Sequence, residues 1–404
     1  MATILHGKYQ ISISIAKEAI PMFVKSFKRF NLVIFIAIFL ATTSWAAPTI
    51  NSVKGSMSES QTITINGSNF SSKPVAAPIS FLKDNIEKGI SGSVFNDSGW
   101  NNPGAGKRAI YTDGSAYSGK KSILFDFQGD WQDRSFFIEK DLNNQKEVYV
   151  TAWIKLVKSG PCTKFQWKNW RVKQNAGYNI ANDSNGTGVI GDLWYPWGST
   201  ARSVQVFIDG KSSNQGWMLD SSAFAFDKWQ RIEAYYKHSD PNRANGQISW
   251  ERIGYGDSLA GGAPTNRSAV ITRSSSADYY RYLILGHYFG NFSGCDDNSA
   301  RLQVFYDDIY VDNTPARVEI GNSNKWSNCT VRDIQAPSQW SNSSVSVTVS
   351  TPSFASNQKA YIYIVDINGN VNSEGYPITI GNSSTVPPSY DQLKPPSGLF
   401  VTEK

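Results

Sequence analysis

From residue 48 to residue 380 the chain consists of short runs in which apolar and polar residues alternate, separated by clusters of Gly, Asn, Asp and Ser. In EVYVTAWIKLV (147–157), for example, an apolar residue occupies every second position from Val148 to Leu156. Alternation with a period of two indicates half-buried β-strands, and no long stretch has the 3.6-residue period of a helix. The pattern therefore predicts an all-β protein.

Nine of these runs lie between residues 79 and 314, which suits a two-sheet jelly roll. They are SILFDFQ (122–128), SFFIEKDL (135–142), EVYVTAWIKLV (147–157), KFQWKNWRV (164–172), SVQVFID (203–209), WQRIEAYYKH (229–238), GQISWERIG (246–254), YRYLILGHYF (280–289) and LQVFYDDIYVD (302–312).

The two ends of the chain hold the strands of a second, smaller sandwich. PTINSV and QTITINGSNF predict two strands between residues 48 and 70, and two strands alone cannot bury a face. Four further strands between residues 316 and 380 complete the strand count of an immunoglobulin-like sandwich. We therefore expect a discontinuous immunoglobulin-like domain, 47–78 plus 315–381, with a jelly roll, 79–314, inserted in it. The alternative is a pair of unrelated small modules flanking the jelly roll. Residues 382–404 are rich in Pro and predict a linker or tail.

Two resemblances support this organisation. PTINSVKGSMSESQTITINGSNFSSKP (48–74) and ARVEIGNS (316–323) resemble the two parts of a TIG-type immunoglobulin-like domain of bacterial cell-surface proteins. The order WQRIEAYYKH, GQISWERIG, YLILGHYF, VFYDDIYVD resembles the concanavalin A-like lectin/glucanase superfamily, which includes lyase-like jelly rolls of secreted polysaccharide-active proteins. The second resemblance implies a fold and a polysaccharide ligand, without a catalytic signature.

The first 46 residues predict a bacterial-type secretory signal. Basic residues at 25–29 precede the apolar run NLVIFIAIFLA (31–41), and small residues at Ser44 and Ala46 mark a cleavage site after about Ala46. A membrane anchor is the alternative, but the run is shorter than the roughly 20 residues of a bilayer span. We expect a secreted or cell-surface protein whose mature chain has no transmembrane span.

The net charge of +6 belongs mostly to this segment. The whole chain has 39 Lys and Arg against 33 Asp and Glu, and the first 46 residues hold five of the former and one of the latter. A nearly neutral mature chain gives no support for nucleic acid as a partner. Of the three cysteines, Cys162 and Cys295 are the pair we expect to form a disulfide in an oxidising compartment, leaving Cys329 over.

Alternation also predicts a carbohydrate-binding face. The residues that turn away from the apolar side of three strands mix aromatic rings with hydrogen-bonding groups, which suits the apolar faces and hydroxyls of sugar rings. They are Trp153, Gln166, Lys168, Trp170, Arg231, Glu233, Tyr235 and Lys237. The stretch DLWYPWGST (192–200), which has no strand pattern, adds Trp194, Tyr195 and Trp197. The competing interpretation is that these aromatic side chains pack within the protein.

Catalysis has weaker support. A retaining glucanase needs two carboxylates about 5 Å apart, and no E-x-D-x-E run occurs. A lyase of acidic polysaccharides needs a base and cations that neutralise the uronate. His287, Tyr288, Arg231, Lys237 and Gln166 provide these types, but His287 shares parity with two leucines, which favours a structural role. No hydrolase elbow, zinc-protease or phosphate-loop motif is present.

A structural calcium ion is the one cofactor that the sequence suggests. Jelly-roll carbohydrate modules often hold calcium between an N-terminal acidic turn and the last strand, where this chain has carboxylates that calcium prefers. The candidates are Asp84, Glu87, Asp307 and Asp308, with Asp312 nearby. Alternatively, these acids are solvated or cap turns.

Together these observations predict a secreted or cell-surface protein that recognises polysaccharide or a cell-surface glycan without catalysis. One alternative is a polysaccharide lyase acting on acidic glycans with the same face. The other is a structural or adhesive surface subunit.

Overall fold

A computed structural model describes residues 2–6, 9–13, 46–102, 107–128, 136–159, 165–174, 189–195, 202–208, 211–219, 226–254, 265–286, 289–291, 301–381 and 383–384. Strands dominate these residues, so the predicted all-β class is confirmed. The chain forms two compact units, 1–46 and 47–404. In the first unit, β1 (Ala2–His6) and β2 (Tyr9–Ile13) pair as an antiparallel hairpin. Within the described ranges, no helix has the length and apolarity needed to cross a bilayer.

The second unit contains the remaining elements. Its strands are β3 (Thr49–Ser56), β4 (Thr62–Ser68), β5 (Ser80–Leu82), β6 (Trp100–Asn101), β7 (Ile110–Thr112), β8 (Ser122–Gln128), β9 (Ile138–Gln145), β10 (Glu147–Ser159), β11 (Phe165–Lys168), β12 (Trp170–Gln174), β13 (Val189–Tyr195), β14 (Arg202–Ile208), β15 (Lys211–Leu219), β16 (Trp229–Lys237), β17 (Gly246–Gly254), β18 (Thr265–Val270), β19 (Tyr280–Leu285), β20 (Phe289–Asn291), β21 (Arg301–Asp312), β22 (Arg317–Gly321), β23 (Arg332–Trp340), β24 (Ser344–Thr348), β25 (Lys359–Val365), β26 (Tyr376–Thr379) and β27 (Ser383–Ser384). A helical turn, α1, spans Asp84–Lys88, and a 3-10 turn spans Trp326–Asn328.

Two antiparallel sheets form the jelly roll. Sheet 1 has the order β18-β17-β16-β10-β21-β8-β7, with β5 on β21. Sheet 2 has the order β15-β14-β13-β12-β19-β9-β6, with β11 between β13 and β20. The apolar residues of β10 from Val148 to Leu156 all lie in the core between the sheets, as their alternation predicts. Trp167 and Trp170 enter the same core from sheet 2.

A third sheet joins the two ends of the unit in the order β26-β25-β22-β23-β24-β4-β3-β27. In the β4–β24 ladder, Ile63 lies opposite Val347 and Ile65 opposite Val345. Strand β23 pairs with β22 through its first half and with β24 through its second, where the register shifts between Pro337 and Gln339. Because the sheet folds over along β23, Ile63 and Ile65 share one core with Ile362. The result is a smaller β-sandwich; its TIG type and exact boundaries stay predictions.

The two chain segments that connect the sandwiches make polar contacts. Lys73, on the outgoing segment, forms a buried ion pair with Asp312 at the end of β21, and the Tyr310 hydroxyl donates to the same carboxylate at 2.7 Å. The Trp340 indole donates to the carbonyls of Phe70 and Ser71 at 3.2 and 3.1 Å. These contacts hold the outgoing segment against the returning strand.

Candidate functional site

The three strands predicted to form one binding face do not all lie in one sheet. Strands β10 and β16 pair in sheet 1, where Trp153 lies opposite Arg231. Lys168, in contrast, lies on β11 of sheet 2. The prediction of a single face that includes both Lys168 and Arg231 is therefore wrong, because alternation identifies the outward side of a strand but not the sheet to which the strand belongs.

Trp170 is a core residue. Its side chain is 0% exposed and its indole donates to the Tyr236 hydroxyl at 3.0 Å, across the space between the sheets. Trp167 and Trp170 are three positions apart and would point to opposite sides of one continuous strand. Both lie in the core because the strand is interrupted at Asn169, between β11 and β12. Assigning Trp170 to the wet face with Gln166 and Lys168 is thus also wrong.

The aromatic stretch 192–200 begins within a strand. Trp194 pairs with Lys168 and Tyr195 with Trp167 in the β11–β13 ladder, so the predicted loop is a strand as far as Tyr195. Trp197 lies outside the described residues. No side-chain position is described for Gln166, Trp194 or Tyr195, and the binding roles proposed for them stay predictions.

The outward side of sheet 1 is covered by the second sandwich. Arg231 is 1% exposed, and its guanidinium donates to Glu319 at 2.9 Å and to the Arg332 carbonyl at 2.6 Å. Its Nε atom donates to the Thr151 hydroxyl at 2.9 Å. Trp153 is buried too, stacked on Tyr117 with 3.6 Å between ring centroids. Arg231 and Trp153 are therefore part of an internal interface.

Glu319 is the centre of an ion network in this interface. Its carboxylate accepts hydrogen bonds from the guanidinium groups of Arg231, Arg317 and Arg332. Burial alone would raise the pKa of Glu319, but the three cations outweigh burial and hold the pKa well below its usual range. Glu233 accepts from Arg231 at 3.2 Å and from the Tyr149 hydroxyl at 2.6 Å. The network joins β16 to β22 and β23.

Beside this network, the two sandwiches leave a cavity of about 370 Å³, here called the groove. The described residues that line it are Tyr149, Glu233, Ala234, Tyr235, Lys237, Gln247, Ser249, Trp250, Glu251, Pro315, Arg317, Trp326, Val365, Ile367, Asn368, Gly369 and Val371. Three residues of the predicted binding face, Glu233, Tyr235 and Lys237, are among them. Tyr235 donates to Glu147 at 2.5 Å, and Lys237 pairs with the same carboxylate at 3.2 Å.

Trp326 gives the groove an aromatic wall. It begins the 3-10 turn and is half-buried, with the Arg332 guanidinium 3.9 Å from its ring and Tyr363 packed edge-on at 5.3 Å. Sequence reasoning missed Trp326. A usable signal was present, since SNKWSN places a large aromatic residue in a polar stretch without strand pattern, the criterion applied to residues 192–200.

A second set of polar residues lies on the outward side of sheet 2. Across β6, β9, β19 and β12 one row reads Asn101, Glu139, Ile284 and Arg171, and Lys173 follows Arg171 two positions later. Glu139, Arg171 and Lys173 are all less than 4% exposed. Burial raises the pKa of Glu139, against the opposing effects of an Asn101 hydrogen bond and the Lys173 charge.

The candidate calcium ligands serve as hydrogen-bond acceptors for the chain. Asp307 accepts the backbone N–H groups of Tyr117 and Ser118 at 2.8 and 3.1 Å, and Asp308 accepts the Ser118 hydroxyl at 2.8 Å. Asp308 sits at a bulge in β21 with φ 45°. Burial raises its pKa to about 6.

Glu87 accepts the N–H groups of residues 120 and 121, and Asp84 begins α1. Within the described part of the chain, no three His, Cys, Asp or Glu side chains are grouped to hold a metal ion. Calcium stays a prediction. Cys162 and Cys295 lie outside the described residues, and so does their predicted disulfide; Cys329 is a free thiol.

Comparison with known proteins finds similarity to solved structures. No family model matches the chain, and no curated protein does. Among solved structures, a PL-14 alginate lyase from Aplysia kurodai is similar at 10% identity and TM-score 0.40, covering 50% of this chain and 86% of that one. An alginate lyase from Chlorella virus is similar at 11% and 0.38, with 58% and 99% covered.

An endo-1,3-β-glucanase from Streptomyces sioyaensis is similar at 11% and 0.35, with 66% and 96% covered. Similarity at this distance does not establish a function for this chain.

Proposed function

We propose that this protein recognises polysaccharide and that the glycan lies in the groove between the jelly roll and the second sandwich. The observation that carries the proposal is the composition of the groove: the Trp326 ring and apolar side chains such as Val365 and Ile367 stand beside the hydrogen-bonding groups of Lys237, Ser249 and Asn368. Sugar rings combine apolar C–H faces with hydroxyls, so this mixture matches them. The signal-like segment at 1–46 supports a secreted or cell-surface location.

A noncatalytic role agrees with the carboxylates of the groove. Glu233 and Glu251 lie opposite each other in the β16–β17 ladder, and Nη2 of Arg332 lies between them, 3.5 Å from Glu233 and 3.1 Å from Glu251. Each carboxylate is therefore paired with a cation of the protein, whereas a catalytic acid or nucleophile has to be available to the substrate. Glu233 is in addition held by Arg231 and Tyr149. The pair is built as structure and as a hydrogen-bonding surface.

Binding to an array of polysaccharide fragments, followed by titration calorimetry, tests the proposal. Trp326→Ala should weaken binding at least about tenfold, since aromatic residues dominate such contacts. Trp229→Ala is the matched control, because Trp229 is also partly exposed but lies outside the groove. Ser249→Trp, which fills the groove without removing a contact of Trp326, should have the same effect as Trp326→Ala. Full affinity in both groove variants would refute the groove as the binding site.

The outward side of sheet 2 favours a second candidate, a lyase acting on acidic glycans. Arg171 and Lys173 are cations of the type that neutralises a uronate, and Glu139 is a carboxyl group with a raised pKa in the same row. All three are less than 4% exposed, so a substrate reaches them only if this side of the sheet opens. Release of unsaturated, ultraviolet-absorbing products from uronate polymers, lost in Arg171→Ala and Lys173→Ala, would establish it. Inactivity on all such polymers, together with assembly of the purified protein into polymers, would instead favour a structural subunit.

A further inference from the structure

The charged residues of the groove are balanced in number, and each is paired with an opposite charge of the protein. Its described lining contains two cations, Lys237 and Arg317, and two carboxylates, Glu233 and Glu251. We infer that the groove selects uncharged saccharides and discriminates against uronate-containing or sulfated ones. This inference rests on the proposed function and specifies its ligand class.

Arg317 is already paired with carboxylates of the protein. Three of its five N–H groups are used: Nε donates to Glu319, Nη1 donates to the Pro315 carbonyl at 3.0 Å, and Nη2 donates to Glu233 at 3.4 Å. The guanidinium also lies 4.5 Å from the Tyr149 ring centroid, and the side chain is 8% exposed. A ligand carboxylate that approached Arg317 would therefore compete with two carboxylates that already neutralise its charge.

Arg332, behind Trp326, is occupied in the same way. Its Nε atom donates to Glu319 at 3.1 Å and Nη2 donates to Glu251 at 3.1 Å, while its face is covered by the indole. Lys237, the most exposed cation of the groove, is matched by Glu147 at 3.2 Å. The described cations around the groove therefore each have a carboxylate partner.

An anionic sugar in this groove would gain no unmatched cation and would approach Glu251 and Glu233. Two like charges about 4 Å apart at a protein surface repel strongly enough to change an equilibrium at least about tenfold. A neutral sugar meets no such repulsion, because its hydroxyls can donate to Glu251 and accept from Lys237 or the Asn368 amide while a C–H face packs on Trp326. The same groups thus favour neutral rings and disfavour acidic ones.

The test compares oligosaccharides of equal length on the whole purified protein: neutral glucan, xylan and mannan fragments against oligogalacturonate, oligoalginate and a sulfated fragment. We expect at least one neutral ligand to bind at least about tenfold more tightly than any acidic ligand, with an affinity that changes little when salt is raised. Tighter binding of an acidic ligand, weakened by salt, would overturn the inference.

Glu251→Gln removes one negative charge with little change of shape and leaves Arg332 with spare positive charge. We expect it to raise affinity for acidic fragments, relative to affinity for the neutral ligand, at least about tenfold. Asp126→Asn makes the same change of charge at an exposed ion pair far from the groove and should change neither affinity. Gln247→Lys, which adds a cation at another residue of the groove lining without breaking an ion pair, should act like Glu251→Gln and serves if that variant unfolds. No gain in either variant would overturn the inference.

Different results would reject the selectivity for neutral saccharides and the groove as a glycan site. Suppose that the native protein prefers an acidic ligand and that Trp326→Ala no longer binds this ligand. The groove would then remain the proposed glycan site, and the inferred selectivity for neutral saccharides would be rejected. Absence of binding to every fragment, neutral or acidic, would reject the groove as a glycan site and the inference with it.

Discussion

The two sides of strand β16 are both buried, but in environments of opposite chemistry. On one side Ile232, Ala234 and Tyr236 pack in the jelly-roll core, where Tyr236 accepts the Trp170 indole hydrogen bond. On the other side Arg231 and Glu233 lie against the second sandwich and form ion pairs with its residues. The apolar side is stabilised by the removal of hydrocarbon from water. On the polar side, each buried charge has lost its hydration and depends on an oppositely charged partner.

This difference shows what alternation can and cannot reveal. The polar side of β16 has the composition of a wet face, yet a second sandwich covers most of it and leaves the groove as the part that solvent reaches. The two sides should accordingly respond differently to substitution. The following predictions test that difference, in order of decreasing expected effect.

Removing the shared carboxylate should damage the polar side most. Glu319→Gln leaves Arg231, Arg317 and Arg332 buried with too little negative charge, and we expect the free energy of unfolding to fall by about 3–5 kcal/mol. Urea denaturation followed by tryptophan fluorescence measures this change. A loss below about 1 kcal/mol would mean that the interface is not closed in solution.

The same junction should give the protein a pH-dependent stability. Burial raises the pKa of Asp333 to about 7, and the charge of Asp308 acts in the same direction while that of Arg231 opposes it. Ser353 donates to the Asp333 carboxyl group from its backbone N–H at 3.0 Å and from its hydroxyl at 2.5 Å. The folded state therefore binds a proton that the unfolded state releases near pH 4, so stability falls as pH rises from about 4 to 7.

For Asp333 that fall is at most roughly 4 kcal/mol, at about 1.4 kcal/mol for each pKa unit. Asp333→Asn keeps the side chain neutral at all pH values and should flatten the dependence of Tm on pH in this range. Asp308, with a pKa raised to about 6, and Glu139, whose pKa is also raised, contribute further slope of the same sign. An unchanged slope in Asp333→Asn would show that Asp333 is ionised in the folded protein.

On the apolar side the effect should come from packing alone. Trp170→Phe keeps an aromatic ring but loses volume and the hydrogen bond to Tyr236, and we expect it to cost about 1–3 kcal/mol. Because Trp170 is in the core, the folded variant should bind glycan with unchanged affinity. Weaker binding by a fully folded Trp170→Phe protein would return this residue to the binding site.

An exposed ion pair sets the lower limit of the scale. Asp126 and Arg301 pair at 2.5 Å with about 36% and 47% of their side chains exposed. Asp126→Asn should change stability by less than about 0.5 kcal/mol, because solvent and salt screen such pairs. A larger loss in thermal denaturation would show that this pair matters as much as the buried network.

The prediction from sequence was most accurate where a local pattern determines the outcome. The alternation in β10 and β16 correctly separated apolar from polar sides, because successive side chains of a strand point in opposite directions whatever the partner strand is. It was less accurate where chain direction and pairing matter. Alternation predicts the wrong side for Trp170, because the break between β11 and β12 shifts the pattern. It also fails to predict the strand that contains Trp194 and Tyr195, with which β11 and β14 pair.

The groove shows the same division. The parity of a single strand predicts that Glu233, Tyr235 and Lys237 share one side, and all three line the groove. Their partners could not be found in this way, because Arg317 and Trp326 reach the groove from segments about 80 or more positions further along the chain.

The sequence by itself determined that this is an all-β protein and which side of each long strand is apolar, since both depend on contacts a few residues apart. Only the tertiary structure decided which strands share a sheet, that the second sandwich covers the polar side of β16, and that the groove lies between them. Those outcomes depend on the free energy of burying whole faces against each other, and on the pairing of charges contributed by distant segments, neither of which is encoded in any short stretch of chain.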